Sequence, residues 1–126
     1  MVSSFIDLEV WQKAHNLFLE TVIDIEKFPK TEAARVITNQ ILRSVGSISA
    51  NIAEGYNAQS TKEYLHYLDV SIRTDAESEN WLYKVKDLEY LSGETARLRL
   101  SECLTIKKML FGLKRSLRNN PRKQGS

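Results

Sequence analysis

The sequence is poor in residues that cross-link or interrupt a chain, since its 126 residues include one cysteine, two prolines and five glycines. Because a disulfide needs two thiols, the single Cys103 excludes an internal disulfide, and it also excludes a zinc cluster built on cysteines. No apolar run reaches the roughly 20 residues that cross a bilayer, and the start MVSSFIDLEV lacks the basic and then apolar order of a signal peptide. We therefore expect a cytoplasmic protein that folds without a structural metal and does not contact membranes.

Charge is divided unevenly along the chain, although the net charge is only +2. Residues 1–93 carry nine basic and fourteen acidic residues, a net charge of −5, whereas residues 94–126 carry nine basic and two acidic residues, a net charge of +7. Three interpretations of the basic part are open: cations stabilised by the dipole at a helix C-terminus, a surface that binds RNA or DNA phosphates, or a contact with the acidic helices of another subunit. The candidate phosphate-binding residues are Lys107, Lys108, Lys114, Arg115, Arg118, Arg122 and Lys123.

Four helical patterns joined by short segments predict an all-α protein, an antiparallel up-down-up-down four-helix bundle. The first two helices span about residues 8–28 and 32–56, the third runs from Ser60 to Ser92, and the fourth follows directly and ends at Asn119. We expect one domain over residues 1–120 and a frayed basic tail over residues 121–126.

Local signals mark the expected ends of these helices. Asp7 is placed to cap the first helix, and Pro29 ends it because proline disfavours the helical state of the preceding residue. Thr31 and Ser60 are placed to cap the second and third helices, and Gly93 suits a left-handed cap at the end of the third. The expected apolar face of the first helix is Leu8, Trp11, His15, Phe18, Val22 and Ile25.

A polar stripe follows the second helix beside a complete apolar face. Its members recur every three or four residues and are Gln40, Arg43, Ser47, Asn51 and Glu54. Residues 73–80 also interrupt the apolar pattern of the third helix, so Arg43 or Arg73 is expected to pair with Asp75 or Glu77. Two interpretations are open: a hydrogen-bonded layer that sets helix register or a subunit contact, and a ligand or catalytic pocket.

Few residues in the sequence suggest catalytic or metal chemistry. His15 lies on the apolar face of the first helix, and His66 belongs to the only Glu-x-x-His spacing, whereas a di-iron bundle needs two such motifs. Cys103 lies on the apolar face of the fourth helix, where it is expected to be an inert core residue. We therefore predict no enzymatic activity, no cofactor, no metal and no small-molecule substrate.

The string Q-I-L-R-S-V-G-S-I-S-A-N-I-A-E-G-Y in the second helix, with D-L-E-V-W-Q-K-A-H near the start, resembles the four-helix-bundle proteins encoded in 23S rRNA intervening sequences. The third helix departs from the usual family pattern at Arg73, Thr74 and Asp75, but Glu77 stands at the family's characteristic glutamate. The positions that match the family pattern of the second helix are Gln40, Arg43, Ser47, Ile48, Asn51, Ile52, Ala53, Glu54 and Gly55.

This resemblance implies a bundle that assembles into a ring-like homo-oligomer, commonly a pentamer, with no established enzymatic activity. It also relates the chain to accessory proteins of diversity-generating retroelements, whose basic pentameric bundle holds a reverse transcriptase and nucleic acid. Two functions follow as expectations: binding of structured RNA or a ribonucleoprotein through the basic fourth helix, or a protein-only scaffold that binds a protein partner. The expected structural or oligomer polar layer consists of Gln40, Arg43, Ser47, Asn51, Glu54, Gly55 and Glu77.

Overall fold

The computed structural model describes residues 2–121, and within that range the regular structure is entirely helical, with no β-strand. The predicted all-α four-helix bundle is confirmed. The helices are α1 (Glu9–Asp24), α2 (Glu32–Tyr56), α3 (Thr61–Asp87) and α4 (Gly93–Asn119), and short 3-10 turns at Phe5–Asp7 and Ile25–Lys27 flank α1. Residues 122–126, most of the predicted tail, lie outside the described residues.

Contacts along the helices show that α2 and α3 run antiparallel, as do α3 and α4. Ser44 of α2 accepts a hydrogen bond from Ser78 of α3. The carbonyl of Ile48, one turn further along α2, accepts one from Ser71, which lies about two turns earlier in α3. The ion pairs between α3 and α4 follow the same reversed order. Because the joints between helices are short, each helix packs beside the next one in the chain.

Two of the predicted helix starts are confirmed. The hydroxyl of Thr31 accepts a hydrogen bond from the N–H of Ala34 at 3.1 Å, and that of Ser60 accepts one from Glu63 at 3.2 Å. Each hydroxyl satisfies an N–H group that has no acceptor within the first helical turn. The predicted bounds of the second helix, 32–56, agree with the structure at both ends.

The predicted cap of α1 is wrong. Asp7 forms a capping box with Ser4 around the preceding 3-10 turn, and the N-cap residue of α1 is Leu8, which makes no side-chain hydrogen bond. The helix also ends earlier than predicted, because the chain tightens into a 3-10 turn after Asp24.

The predicted left-handed cap at Gly93 is also wrong, since Gly93 is the first residue of α4. The left-handed position is Glu89, with φ of 61°. There the N–H of Tyr90 donates to the carbonyl of Val85 and the N–H of Glu89 donates to that of Lys86. This pair of bonds is a Schellman motif, which ends α3 without its customary glycine.

The predicted apolar face of α1 is displaced from the true core face by about one position. The predicted residues lie half-buried or exposed. The prediction chose the wrong face because α1 is apolar along two adjacent stripes, and periodicity does not distinguish the stripe that faces the core. The buried residues of α1 include two polar ones and are Val10, Ala14, Leu17, Thr21 and Asp24.

The middle of α3 contributes polar side chains to the core. Ser71, Asp75 and Ser78 have no solvent exposure. The two serine hydroxyls bond across to α2, whereas neither oxygen of Asp75 has a hydrogen-bond partner within the described part of the chain. The polar residues that interrupt the apolar pattern of α3 near this position therefore belong to the contact between α2 and α3.

Candidate nucleic-acid interface

Two of the predicted phosphate-binding lysines of α4 are engaged within the bundle. The Nζ of Lys107 lies 2.9 Å from Oε1 of Glu79, and this hydrogen bond raises the pKa of Lys107. Lys114 is only 8% exposed and forms an ion pair with Asp69. The acidic helix that these lysines meet is α3 of the same chain, so their charges are balanced without another molecule.

Arg99 is a third basic residue of α4 that points inward, and sequence reasoning missed its role. Its guanidinium holds Asp24 by two hydrogen bonds of 2.7 and 3.2 Å and donates to Glu102 at 2.9 Å. An oxygen of Glu20 lies 3.2 Å from the same guanidinium. A hydrogen bond with Glu102, together with burial, raises the pKa of Glu20 to about 7.

The remaining predicted cations of α4 within the described residues form one exposed row. Lys108, Arg115 and Arg118 are spaced by seven and three residues, which places them on the same side of the helix. In the part of the chain that the structure describes, none of the three forms an ion pair. At a rise of 1.5 Å per residue the row is about 15 Å long.

Two large apolar side chains lie beside this row. Phe111 is 46% exposed and stands between Lys108 and Arg115, and Leu104 is exposed one turn before Lys108. We call the surface made by Leu104, Lys108, Phe111, Arg115 and Arg118 the α4 face. Arg122 and Lys123, the last two predicted cations, lie outside the described residues, so their position relative to this face stays a prediction.

The polar stripe of α2 is partly engaged with α3. Arg43 forms an ion pair with Glu77 and donates to Oε1 of Gln40 at 3.0 Å, while Nε1 of Trp81 donates to Glu77 at 3.3 Å. One of the pairings expected from the sequence is therefore present. Both partners are substantially exposed, so the ion pair itself adds about 1 kcal/mol or less to stability.

The rest of the stripe continues along the outer side of α2. The side chain of Asn51 donates to the carbonyl of Ser47 in its own helix at 2.8 Å, and Glu54 is exposed. Ala50, which directly precedes Asn51, is also exposed. This part of α2 presents small and polar side chains that are not engaged with α3.

Gly55 is required by the close approach of α2 and α3. A Cβ atom at this position would lie 2.9 Å from Cδ1 of Tyr64 and 3.0 Å from Cβ of Tyr67. Real Cβ contacts are essentially never that short, so the glycine has a packing role at the end of α2.

The candidate catalytic or metal-binding side chains do not converge. Across residues 2–121 no group of three or more His, Cys, Asp or Glu side chains is placed to hold a metal ion. His15 stacks on Trp11 with ring centroids 4.6 Å apart, and His66 lies beside Tyr67. Cys103 is fully buried, and burial raises the pKa of its thiol far above the usual range. None of the helices in this part of the chain combines the length and the apolarity needed to cross a membrane.

Comparison with known proteins identifies a family and finds similar solved structures. The sequence model of a family described as 23S rRNA-intervening sequence protein matches residues 6–112. A protein of unknown function from the S23 ribosomal protein family of Bacteroides thetaiotaomicron VPI-5482 is 28% identical with a TM-score of 0.77, over 83% of this chain and 97% of that chain. No curated protein matches the chain. The family match ends before Lys114, so the last cations of α4 lie beyond it.

Proposed function

The chain belongs to the family of 23S rRNA-intervening sequence proteins, and on that premise we propose that it is a non-enzymatic, homo-oligomeric bundle that binds RNA through the α4 face. The proposal is carried by three cations in one exposed row that form no ion pair with any other described residue. The matched family takes its name from 23S rRNA, and the similar structure belongs to a ribosomal protein family, which supports RNA over DNA as the partner.

The row of Lys108, Arg115 and Arg118 fits phosphate binding better than a purely structural role. A cation in the last helical turn interacts favourably with the helix dipole, which accounts for Arg118 but not for Lys108, three turns earlier. Neutralising about three phosphates releases counterions, so the logarithm of the affinity should fall with the logarithm of salt concentration with a slope of about −2 or steeper.

The test is a fluorescence-anisotropy titration of a labelled RNA hairpin with a single-stranded loop at about 50 and about 200 mM salt. The α4 variant combines Lys108→Gln, Arg115→Gln and Arg118→Gln. The matched control removes the same charge from exposed lysines elsewhere, as Lys13→Gln, Lys30→Gln and Lys62→Gln. We expect the α4 variant to lose at least about tenfold in affinity and most of the salt slope, whereas the control stays within about threefold of the unmodified chain. Equal losses in both variants would mean that net charge alone decides binding and would refute the assignment to α4.

Self-association is the second part of the proposal, and the outer side of α2 supports it. Ser47 and the exposed Ala50 are small residues on this side, so another backbone can approach closely at their positions. The resemblance noted for α2 implies a ring, commonly a pentamer. Light scattering should therefore give a mass that is a multiple of 14.5 kDa.

A variant pair tests where the subunits meet. Ala50→Arg places a long charged side chain on the outer side of α2 and should lower the mass. Ala76→Arg makes the same change at an exposed alanine of α3 and should leave the mass unchanged. A monomeric mass for the unmodified chain would contradict self-association without affecting the RNA-binding proposal.

A protein-only scaffold is a second candidate function, favoured by exposed apolar side chains on α1. Leu19, Val22 and Ile23 lie near the end of this helix, and Ile23 is 66% exposed. Burial of such side chains depends little on salt. A complex with a protein partner that persists at high salt, together with failure to bind RNA, would favour this candidate.

A further inference from the structure

We infer that the α4 face selects unpaired RNA over duplex RNA, with Phe111 as the surface on which a base stacks. This inference rests on the proposed function, because it names the class of RNA that the same face takes. The juxtaposition that carries it is an exposed aromatic ring in the middle of a row of cations that form no ion pair within residues 2–121.

Phe111 lies three residues after Lys108 and four residues before Arg115, so all three side chains emerge on the same side of α4. The ring is 46% exposed, whereas the apolar residues on the opposite side of the helix, such as Ile106 and Leu110, have no exposure. Nucleic-acid surfaces that bind single strands combine these two elements, a charged track for the backbone and aromatic rings for the bases.

A cation–π contact links the Phe111 ring to the bundle. The Nζ of Lys114 lies 5.6 Å from the ring centroid, and the same ammonium is anchored to Asp69 of α3. The ring is therefore braced from the side of the bundle while nearly half of its surface stays open to solvent. A braced ring loses little conformational entropy when a base stacks on it.

The geometry of duplex RNA gives the aromatic ring no comparable partner. The major groove of an A-form helix is too deep and narrow for side chains to read, and the shallow minor groove displays hydroxyl groups and base edges. Bases inside a duplex are already stacked on each other, so their faces are not available to Phe111. The cations of the α4 face bind phosphates of either form, and the ring alone discriminates between them.

The experiment compares two labelled probes, an oligouridylate of about twelve nucleotides and an RNA duplex of about twelve base pairs. The variants are Phe111→Ala, Phe111→Trp and Leu98→Ala, the last removing an equally exposed apolar side chain of α4 outside the α4 face. We expect Phe111→Ala to weaken binding of the single strand about tenfold, with the salt slope and the duplex affinity unchanged. Phe111→Trp should retain single-strand affinity, and Leu98→Ala should behave as the unmodified chain.

Any of three results would overturn the inference. Phe111→Ala could leave the single-strand affinity unchanged, or the unmodified chain could bind the duplex at least as tightly as the single strand. In the third, Phe111→Ala changes the oligomeric mass. The third result would place the ring between subunits. The variant with Lys108→Gln, Arg115→Gln and Arg118→Gln distinguishes failure of this inference from failure of the proposed function. If that variant loses RNA affinity while Phe111→Ala does not, the α4 face binds RNA without stacking. If neither variant loses affinity, or if the unmodified chain binds no RNA, both proposals are wrong.

Discussion

Arg99 and Asp24 are 75 positions apart in sequence and are joined by two hydrogen bonds of 2.7 and 3.2 Å that connect α4 to α1. Both residues are buried, at 9% and 3% exposure. The two parallel bonds match the fork of a guanidinium to the two oxygens of a carboxylate. The pair therefore sets the position of α4 against the end of α1.

Removing one member of this pair should destabilise the bundle strongly. Asp24→Leu leaves a buried guanidinium with one partner fewer, and a loss of about 3 kcal/mol in the free energy of unfolding is expected. Urea denaturation measures this loss. The double variant Asp24→Leu with Arg99→Leu removes both charges and should recover part of the lost free energy of unfolding. Equal stability of the single and double variants would contradict the pairing.

Stability should fall as pH rises from about 4 to about 7 because of Asp75. Burial and the neighbouring Glu79 carboxylate raise the pKa of Asp75 from 3.8 to about 7, so the folded state keeps a proton that the unfolded state releases. This group favours folding at low pH, and that advantage, a few kcal/mol in the free energy of unfolding, is lost as pH rises towards 7. Glu20, whose pKa is also raised to about 7, acts in the same direction.

Asp75→Asn tests the assignment, because the amide has nearly the same shape and carries no titrating proton. Urea denaturation at about pH 5 and pH 8 should show a smaller pH difference for this variant than for the unmodified chain. Asp87→Asn, at an exposed carboxylate of α3, serves as the control and should keep the full difference. An unchanged pH difference in Asp75→Asn would assign the effect to other groups.

Glu89→Gly should stabilise the protein by about 1 kcal/mol. Glu89 adopts φ of 61°, a conformation that glycine adopts without the steric cost paid by other residues. Thermal unfolding should therefore shift upward by about 4 °C. Lys84→Gly, in the helical part of α3, should have the opposite sign because glycine inside a helix loses more chain entropy.

Adding one methyl group should have opposite effects at Gly55 and Gly112. Gly55→Ala places a Cβ 2.9 Å from the ring of Tyr64, and a loss of about 2 kcal/mol is expected from the displacement of α3. Gly112→Ala meets nothing within 4 Å and improves helix propensity in α4, so a gain of up to about 1 kcal/mol is expected. Chemical denaturation of the two variants measures both signs, and a neutral Gly55→Ala would contradict the close approach of the helices.

The sequence by itself determined the fold class and most helix ends. Apolar residues at helical spacing predict four helices, and Thr31 and Ser60 begin α2 and α3 through hydrogen bonds that are local in sequence. Such signals depend on residues within one turn, so they can be read without knowing what packs opposite. Asp7 failed as a prediction because its side chain caps an adjacent turn that periodicity does not reveal.

Only the tertiary structure decided which polar residues lie inside the bundle and which cations remain free. Lys114 and Arg115 are neighbours in sequence, but a helix turns about 100° per residue, so Lys114 meets Asp69 of α3 while Arg115 stays exposed. Likewise, Asp75 and Arg99 are buried because the surfaces of α4 and α1 close over them. The sequence determines where each charge lies along a helix, whereas its availability to a ligand depends on the neighbouring helix, which only long-range packing brings into place.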